Sequence, residues 1–389
     1  MICAFGIALV LLLYYGHVHD QKEYEYLVGL QTQEKERSRA KEEAGWQVKL
    51  ANQKEEQMSA IERTQLRMQD SFYQLLADGF DVNILIVGDS IGAASGASDD
   101  EHRWTSLLKN RIESQYDVSV RLTNISMGGN TSYAGYVRTM TLNDGINYDL
   151  VVLCYGQNDS EMDFELYYEA VIRSVKVRYP KASIICIQES SQRDYTEKMK
   201  TIQSIADHYC LPVADTIEPF RDSYEKLVKD GIHPNDDGMK IYCQTVINVI
   251  ESLVNERHGY DPENIAAINE QVNILNSFYW LPVDKFKRNG NTFVLAIQTY
   301  GVILGIDYNF ISGENSCNIF VDGDEYAAPE IVFSYDFSQR HIMVVNKWRD
   351  GETINVKHEI KVVFDEGEAG KVQADGFRGL AISGGNMSE

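Results

Sequence analysis

Basic residues are scarce in this chain of 389 residues, where 36 Lys and Arg stand against 58 Asp and Glu for a formal net charge of −22. Binding to a phosphate backbone draws on basic patches that release counterions, so the deficit argues against nucleic acid and against anionic lipid heads as partners. Cysteine is also sparse. Six in so long a chain are too few for a disulfide scaffold, and Cys3, Cys154, Cys186, Cys210, Cys243 and Cys317 show no C-x-x-C or other metal-like spacing. They read as small core hydrophobes. The histidines His17, His19, His102, His208, His258, His341 and His358 lack ligand spacing, and Asp322-Gly323-Asp324-Glu325 matches no complete calcium loop. No metal and no cofactor is expected. What is present, 44% hydrophobic and 24% charged residues, is the composition of a folded protein long enough for roughly two domains.

Charge is lacking altogether from Met1 to His19, a mostly apolar run that includes Ile7 to Leu13 and ends near Tyr14-Tyr15. As a helix it would span roughly 28 Å, about one hydrocarbon core, with the tyrosines suited to the interface. There is no basic leader and no small-residue cleavage site, so residues 1–19 read as an uncleaved signal anchor rather than a removed signal peptide. Residues 20–79 read as a helical stalk: Asp20 to Asp78 contains no Pro, with 12 acids and 9 bases. Near its end Met58, Ile61, Met68, Phe72 and Leu75 fall on an a/d heptad interrupted by Gln65. That stripe serves either self-association as a coiled coil or packing on the following domain.

From residue 80 to 258 short apolar runs alternate with helix-period stretches. The runs are Asn83 to Gly88, Val118 to Ile125, Leu150 to Cys154 and Ile184 to Ile187; the helices are Trp104 to Tyr116, Phe164 to Tyr179, Tyr195 to Tyr209 and Gly238 to Arg257. Continuous apolar strands alternating with helices predict an α/β domain, a parallel sheet covered on both faces in three layers. Asp261-Pro262-Glu263 has the form of an N-cap with Pro at N1, opening a connecting helix within residues 259–280. Residues 281–389 carry short strands separated by Gly, Asn and Asp turns: Thr292 to Ile297, Cys317 to Val321, Glu330 to Phe333, His341 to Val345 and His358 to Val363. This pattern predicts a β-sandwich.

Four short motifs carry chemistry. The first strand ends in Gly88-Asp89-Ser90-Ile91-Gly92, which satisfies G-x-S-x-G; Gly128-Gly129-Asn130-Thr131-Ser132 follows the second strand and Gly156-Gln157-Asn158-Asp159 the third; Asp230-Gly231-Ile232-His233 precedes the last helix. Open α/β sheets place their sites at the carboxyl ends of strands. Serine is a poor nucleophile until a base takes its proton, histidine is the side chain suited to do so near neutrality, and an aspartate three residues away in a turn can orient that histidine. Asn158 offers an amide donor to a developing oxyanion. The order of these blocks resembles the SGNH (GDSL) hydrolase superfamily over roughly residues 82–256. The resemblance implies Ser90 as nucleophile, His233 as general base and Asp230 as its orienting partner, with the backbone N–H groups of Ser90 and Gly129 and the Asn158 side chain as oxyanion donors. Asp89 and Asp159 read as loop-bracing hydrogen-bond acceptors. Trp104, Tyr155 and Gln157, with Arg103, are candidates for the pocket wall, with core packing the alternative.

The expectation is a membrane-tethered, extracytoplasmic serine esterase that removes O-acetyl or other short O-acyl groups from carbohydrate. The C-terminal part looks like the jelly-roll modules of some carbohydrate esterases at Glu359 to Phe364 and Phe377-Arg378-Gly379-Leu380. An O-acetyltransferase working on surface glycans with a membrane acyltransferase partner would use the same triad, and a non-catalytic coiled-coil scaffold would use only the stalk. Nineteen of the 22 net negative charges fall on residues 79–389, which favours a neutral glycan over a polyanionic one.

Overall fold

The computed structural model describes residues 70–262, 265–296, 299–311, 317–329, 339–345, 354–356 and 359–383, together with scattered residues between 33 and 69. The anchor at residues 1–19, the heptad positions Met58, Ile61 and Met68, the strand expected at Glu330 to Phe333, and His17, His19 and His358 lie outside the described residues. Among the described residues no helix is long and apolar enough to cross a membrane. The chain divides into two compact units, Met1–Gln69 and Asp70–Glu389. Residues 35–41 and 43–47 of the first unit are helical and exposed, as their charge and glutamine content dictates.

The second unit starts earlier than residue 80. Helix α1 (Phe72–Ala77) opens with a capping box, in which the Gln74 N–H donates to Ser71 Oγ and the Ser71 N–H to Gln74 Oε1. Its Phe72, Tyr73, Leu75 and Leu76 are all buried, and Arg257 pairs with Asp78 through two contacts of 2.9 and 2.7 Å. The last two positions of the heptad stripe therefore belong to a domain core and are not available for a coiled coil.

A parallel sheet follows, built from β1 (Val82–Gly88), β2 (Val120–Asn124), β3 (Leu150–Cys154), β4 (Ser183–Gln188) and β5 (Val213–Asp215) in the order β2-β1-β3-β4-β5. Between its strands run α2 (Trp104–Tyr116), α3 (Ser132–Thr141), α4 (Phe164–Arg178) and α5 (Glu197–Tyr209); α6 (Ile217–Phe220), α7 (Tyr224–Leu227) and α8 (Asp236–Asn255) come after β5. Side chains alternate across the strands. Leu85, Val87, Val151 and Leu153 pack with α3, α4 and α5, while Ile84, Ile86, Leu150 and Val152 pack with α1, α2 and α8. Burial on both faces is why these strands are continuously apolar. Helix α3 and strand β5 had no sequence signal, since α3 is rich in Ser, Thr, Tyr and Gly and β5 has three residues.

The connecting helix is not formed as expected. Only α9 (Val272–Leu275) is helical in the described part of residues 259–277, and Asp261 accepts a hydrogen bond from the Ile184 N–H at 3.1 Å instead of capping a helix. A buried strand-end donor needing an acceptor outweighs the local Asp-Pro propensity.

The C-terminal part contains β6 (Phe278–Pro282), β7 (Lys287–Asn289), β8 (Thr292–Leu295), β9 (Thr299–Phe310), β10 (Cys317–Val321), β11 (Asp324–Ala327), β12 (Gln339–Val344), β13 (Ile354–Val356), β14 (Ile360–Phe364), α10 (Glu368–Asp375) and β15 (Gly379–Ser383). They form two antiparallel sheets, β11-β10-β14-β8-β7 and β12-β9-β15-β6, with β13 added on β9. Phe293, Ile319 and Val362 of the first sheet and Ile303, Ile306 and Leu380 of the second share one core. The opposite face of the second sheet, with Val302, Leu304, Ile342, Val344 and Ala381, is buried against α3 and α4. In β9 the parity of inward residues changes between Ile303 and Ile306, where the pairing with β15 shifts register around Leu304, a β-bulge. A Cβ on Gly305 would collide with the Tyr133 hydroxyl and the Met343 carbonyl. Gly305→Val is therefore expected to destabilise the protein by about 2 kcal/mol or more through overpacking, read as a lower midpoint in thermal unfolding.

Candidate active site

Strand β1 delivers Ser90 to the carboxyl edge of the parallel sheet. The turn after it is braced by backbone: the Asp89 N–H donates to the Cys154 carbonyl at the end of β3 (3.0 Å), and the Ser95 N–H to the Ser90 carbonyl (2.8 Å). Asp89 Oδ1 accepts from the Ile91 N–H at 2.8 Å, as expected of a loop-bracing residue. Ser90 is 8% exposed.

The loop before α8 brings the base. The Lys229 N–H donates to the His233 carbonyl (2.8 Å) and the Asn235 N–H to the Leu227 carbonyl (2.8 Å), closing a short hairpin. Asn235 caps α8 through its Oδ1, which accepts from the Asp237 and Gly238 N–H groups. Within the hairpin, Asp230 Oδ1 accepts from the N–H groups of Ile232 (3.2 Å) and His233 (2.9 Å), while Oδ2 lies 2.8 Å from His233 Nδ1. The other ring nitrogen, Nε2, is 2.9 Å from Ser90 Oγ. Burial raises the Asp230 carboxyl, but the hydrogen bonds from the His233 N–H and imidazole outweigh it and hold the group below the usual carboxylate range. Gly96 packs on the back of this hairpin at φ +108°, and a Cβ there would meet the His233 Cβ at 2.9 Å. A hydroxyl, an imidazole and a carboxylate in line, 143 residues apart at one step and three at the next, can move a proton off the hydroxyl.

On the other side of Ser90 lies the loop after β2. A Cβ placed on Gly128 would stand 3.7 Å from the Ser90 Cβ, and Gly129 adopts φ +70°. Asn158 Nδ2 donates to the Asn130 carbonyl (3.2 Å) and to Asp89 Oδ2 (3.3 Å). Gly128, Gly129 and Asn158 thus gather around the nucleophile turn. Asp159 accepts from both the Ser132 N–H (2.8 Å) and its hydroxyl (2.5 Å), fixing the start of α3. Burial raises it to about 6 against those hydrogen bonds.

Two of the expected wall residues stand elsewhere. Trp104 is fully buried, its indole N–H donating to the Ile91 carbonyl at 2.9 Å, and Tyr155 is buried against Gly135. Both are core residues, the alternative that the sequence left open for them. Gln157 is half-buried, its Oε1 accepting from Gln192 Nε2 at 3.0 Å. Sequence reasoning missed Glu189, at the end of β4. It is completely buried behind the nucleophile turn, with Oε2 accepting from the Gln157 N–H (2.8 Å) and Oε1 from the Cys154 thiol (3.3 Å). Burial, then the charge of Asp159, pushes its carboxyl up to about 7; burial and then Glu189 raise the carboxyl of Asp89 well above the ordinary range. A lone Gln-Glu-Ser after an apolar run carried no signal of this. Among the described residues no group of three or more His, Cys, Asp or Glu side chains is placed to hold a metal ion.

The segment that holds this arrangement has known relatives. Residues 86–241 match the model of the GDSL-like lipase/acylhydrolase family. Esterase TesA of Pseudomonas aeruginosa is 40% identical over 77 residues, which is 20% of this chain and 37% of that protein, so the match spans little more than a third of the relative's length. A crystal structure of a two-domain esterase (CEX) active on acetylated mannans, co-crystallised with mannopentaose, superposes on 82% of this chain and 96% of its own at a TM-score of 0.63 and 18% identity. A second crystal structure of a two-domain esterase (CEX) active on acetylated mannans gives the same values. At that identity the likeness is one of fold, and it extends beyond the GDSL-like domain into the C-terminal sheets.

A carboxyl whose folded pKa is raised stabilises the fold fully below its ordinary value of 4.5 and loses that contribution as pH rises through about 7. Glu189→Gln removes the titration while keeping the shape. The midpoint of the variant relative to wild type should therefore climb between pH of about 5 and about 8; a difference that stays flat over this window would show that Glu189 is ionised throughout.

Proposed function

We propose that the protein is a serine esterase that removes short O-acyl groups, chiefly O-acetyl, from carbohydrate. The observation that carries this reading is the line from Ser90 Oγ through His233 to Asp230, with steps of 2.9 and 2.8 Å. In the proposed reaction His233 Nε2 accepts the Ser90 proton as Oγ attacks the acyl carbonyl. Asp230 holds Nδ1–H and offsets the positive charge of the imidazolium. The tetrahedral oxyanion is stabilised by the backbone N–H groups of Ser90 and Gly129 and by the Asn158 amide, one proton of which turns from Asp89 Oδ2 to the oxyanion. The imidazolium then gives its proton to the departing sugar hydroxyl, leaving an acyl-Ser90. Water, deprotonated by the same imidazole, releases the carboxylic acid and restores the hydroxyl.

The family of residues 86–241 supports acyl-ester chemistry. The two-domain likeness to an esterase active on acetylated mannans supports an acetylated glycan as the substrate class, and the net charge of −22 supports a neutral one. We further propose that the uncharged run Met1 to His19 tethers the enzyme to a membrane with the hydrolase unit on the extracytoplasmic side.

Ser90→Ala should lower kcat for release of acetate from an aryl acetate and from acetylated mannan by about 10⁴-fold or more, and Asn158→Ala by about 10²-fold. Equal turnover by wild type and Ser90→Ala would defeat the reading. Acetate appearing in water at a rate independent of added deacetylated glycan separates hydrolysis from transfer. Recovery of the full chain in a detergent-soluble membrane fraction, and its loss to the soluble fraction on removal of residues 1–19, tests the tether.

A further inference from the structure

The loop that carries Gly128 and Gly129 is held from two sides, and one of them is the C-terminal part of the chain. Among the described residues strand β12 lies at the edge of its sheet, with β9 on one side of its backbone and no strand on the other. Asn130 fills that place. Its Oδ1 accepts from the Ile342 N–H (3.0 Å) and its Nδ2 donates to the Arg340 carbonyl (3.1 Å), so the carboxamide takes the role of one peptide unit of a neighbouring strand. The second Nδ2 proton goes to the Gly128 carbonyl at 3.0 Å. The same carbonyl receives the side chain of Gln339, whose Nε2 donates to it at 2.6 Å. Asn130 is 1% exposed, and its own carbonyl accepts from Asn158 Nδ2 at 3.2 Å. Arg340 anchors this end of β12 from the other side through a two-point contact with buried Asp307, at 2.9 and 2.5 Å.

These contacts form a continuous path from β12 to the groups around the nucleophile. A shift of the Gly128 carbonyl rotates the peptide that joins it to the Gly129 N–H, and a shift of the Asn130 carbonyl moves the Asn158 amide. Both assigned oxyanion donors beyond Ser90 are therefore tied to one strand by contacts that span 210 to 212 residues of the chain. We infer that Gln339 and Asn130 are positioning residues for the oxyanion donors, and that β12 is a working part of the hydrolase site rather than the edge of an appended module. The inference rests on the esterase reading above.

Preorganised donors lose their effect when they move by a fraction of an ångström to an ångström, so the expected signature is a fall in kcat with little change in KM. Gln339→Glu keeps the size of the side chain and removes the donor to Gly128; Gln339→Lys keeps a donor. With an aryl acetate and the full chain, Gln339→Glu and Asn130→Ala should each lower kcat by about 10- to 100-fold with KM within about twofold of wild type, while Gln339→Lys retains most of the turnover. The thermal midpoint of each variant, measured beside kcat, separates lost positioning from lost folding, and the Gln339→Glu and Gln339→Lys pair gives the comparison at a half-buried position even where Asn130→Ala lowers the midpoint. Wild-type kcat in Gln339→Glu, or equal losses in Gln339→Glu and Gln339→Lys, overturns the inference. A wild-type enzyme without Ser90-dependent turnover is the distinct result that would remove the reading on which it rests.

Discussion

Burial of one antiparallel sheet on both faces is the constraint from which the arrangement of the Asp70–Glu389 unit follows. Ile303, Ile306, Tyr308 and Leu380 enter the C-terminal core, while Val302, Leu304, Ile342, Val344 and Ala381 enter the core shared with α3 and α4. Each fully buried aliphatic or aromatic side chain of this kind contributes about 1.5–3 kcal/mol, so separating the two parts would expose several such groups at once. Contacts between domains are more often polar and permissive of motion. Here the seam is a core. The bulge at Leu304 is the local device that lets one strand serve both sides, because it turns successive residues of β9 to the same face where the α3 side needs them.

The grouping of Ser90, Asn158, Asp230 and His233 was legible in the sequence for a definite reason. Ser90, Asn158 and the Asp230–His233 pair each sit in a short loop that ends or follows a regular element, and the residue types in those loops are set by local backbone geometry and by chemistry rather than by distant packing. The strands β1, β3 and β4 were legible for the complementary reason: buried on both faces, they admit only apolar side chains. What failed or stayed open was whatever depended on tertiary partners. The Asp261-Pro262 signal promised a helix, but the carboxylate is taken by the Ile184 N–H. Phe72 and Leu75 continue a heptad with two readings open to it, and the fold takes the packing on the following domain, beneath α8. Strand β9 was not among the expected strands and contains Gly301, Gly305, Asp307 and Asn309; Gly305 is required by the Tyr133 hydroxyl and Asp307 is balanced by Arg340 and Arg378. Trp104 and Tyr155 were open between pocket wall and core packing, and burial decides for the core.

Depth divides the carboxyl groups around Ser90 into two kinds. Asp230 is about half exposed and receives two backbone N–H groups as well as the imidazole, so ionisation costs it little and it stays charged through the neutral range. Asp89, Asp159 and Glu189 are buried, and desolvation drives all three upward. The consequence is spatial. Negative charge is held on the solvent side of His233 by Asp230, and is opposed by burial at Asp89 and Glu189 beneath Asn158. A fully ionised Asp89–Glu189 pair at that floor would set two negative charges behind the place where an oxyanion develops and oppose it. A proton retained on the pair removes much of that opposition while leaving Asp89 as an acceptor for Asn158 and the Ile91 N–H. The same burial that makes these acids costly to the fold at high pH therefore makes them compatible with the oxyanion of the proposed esterase reaction.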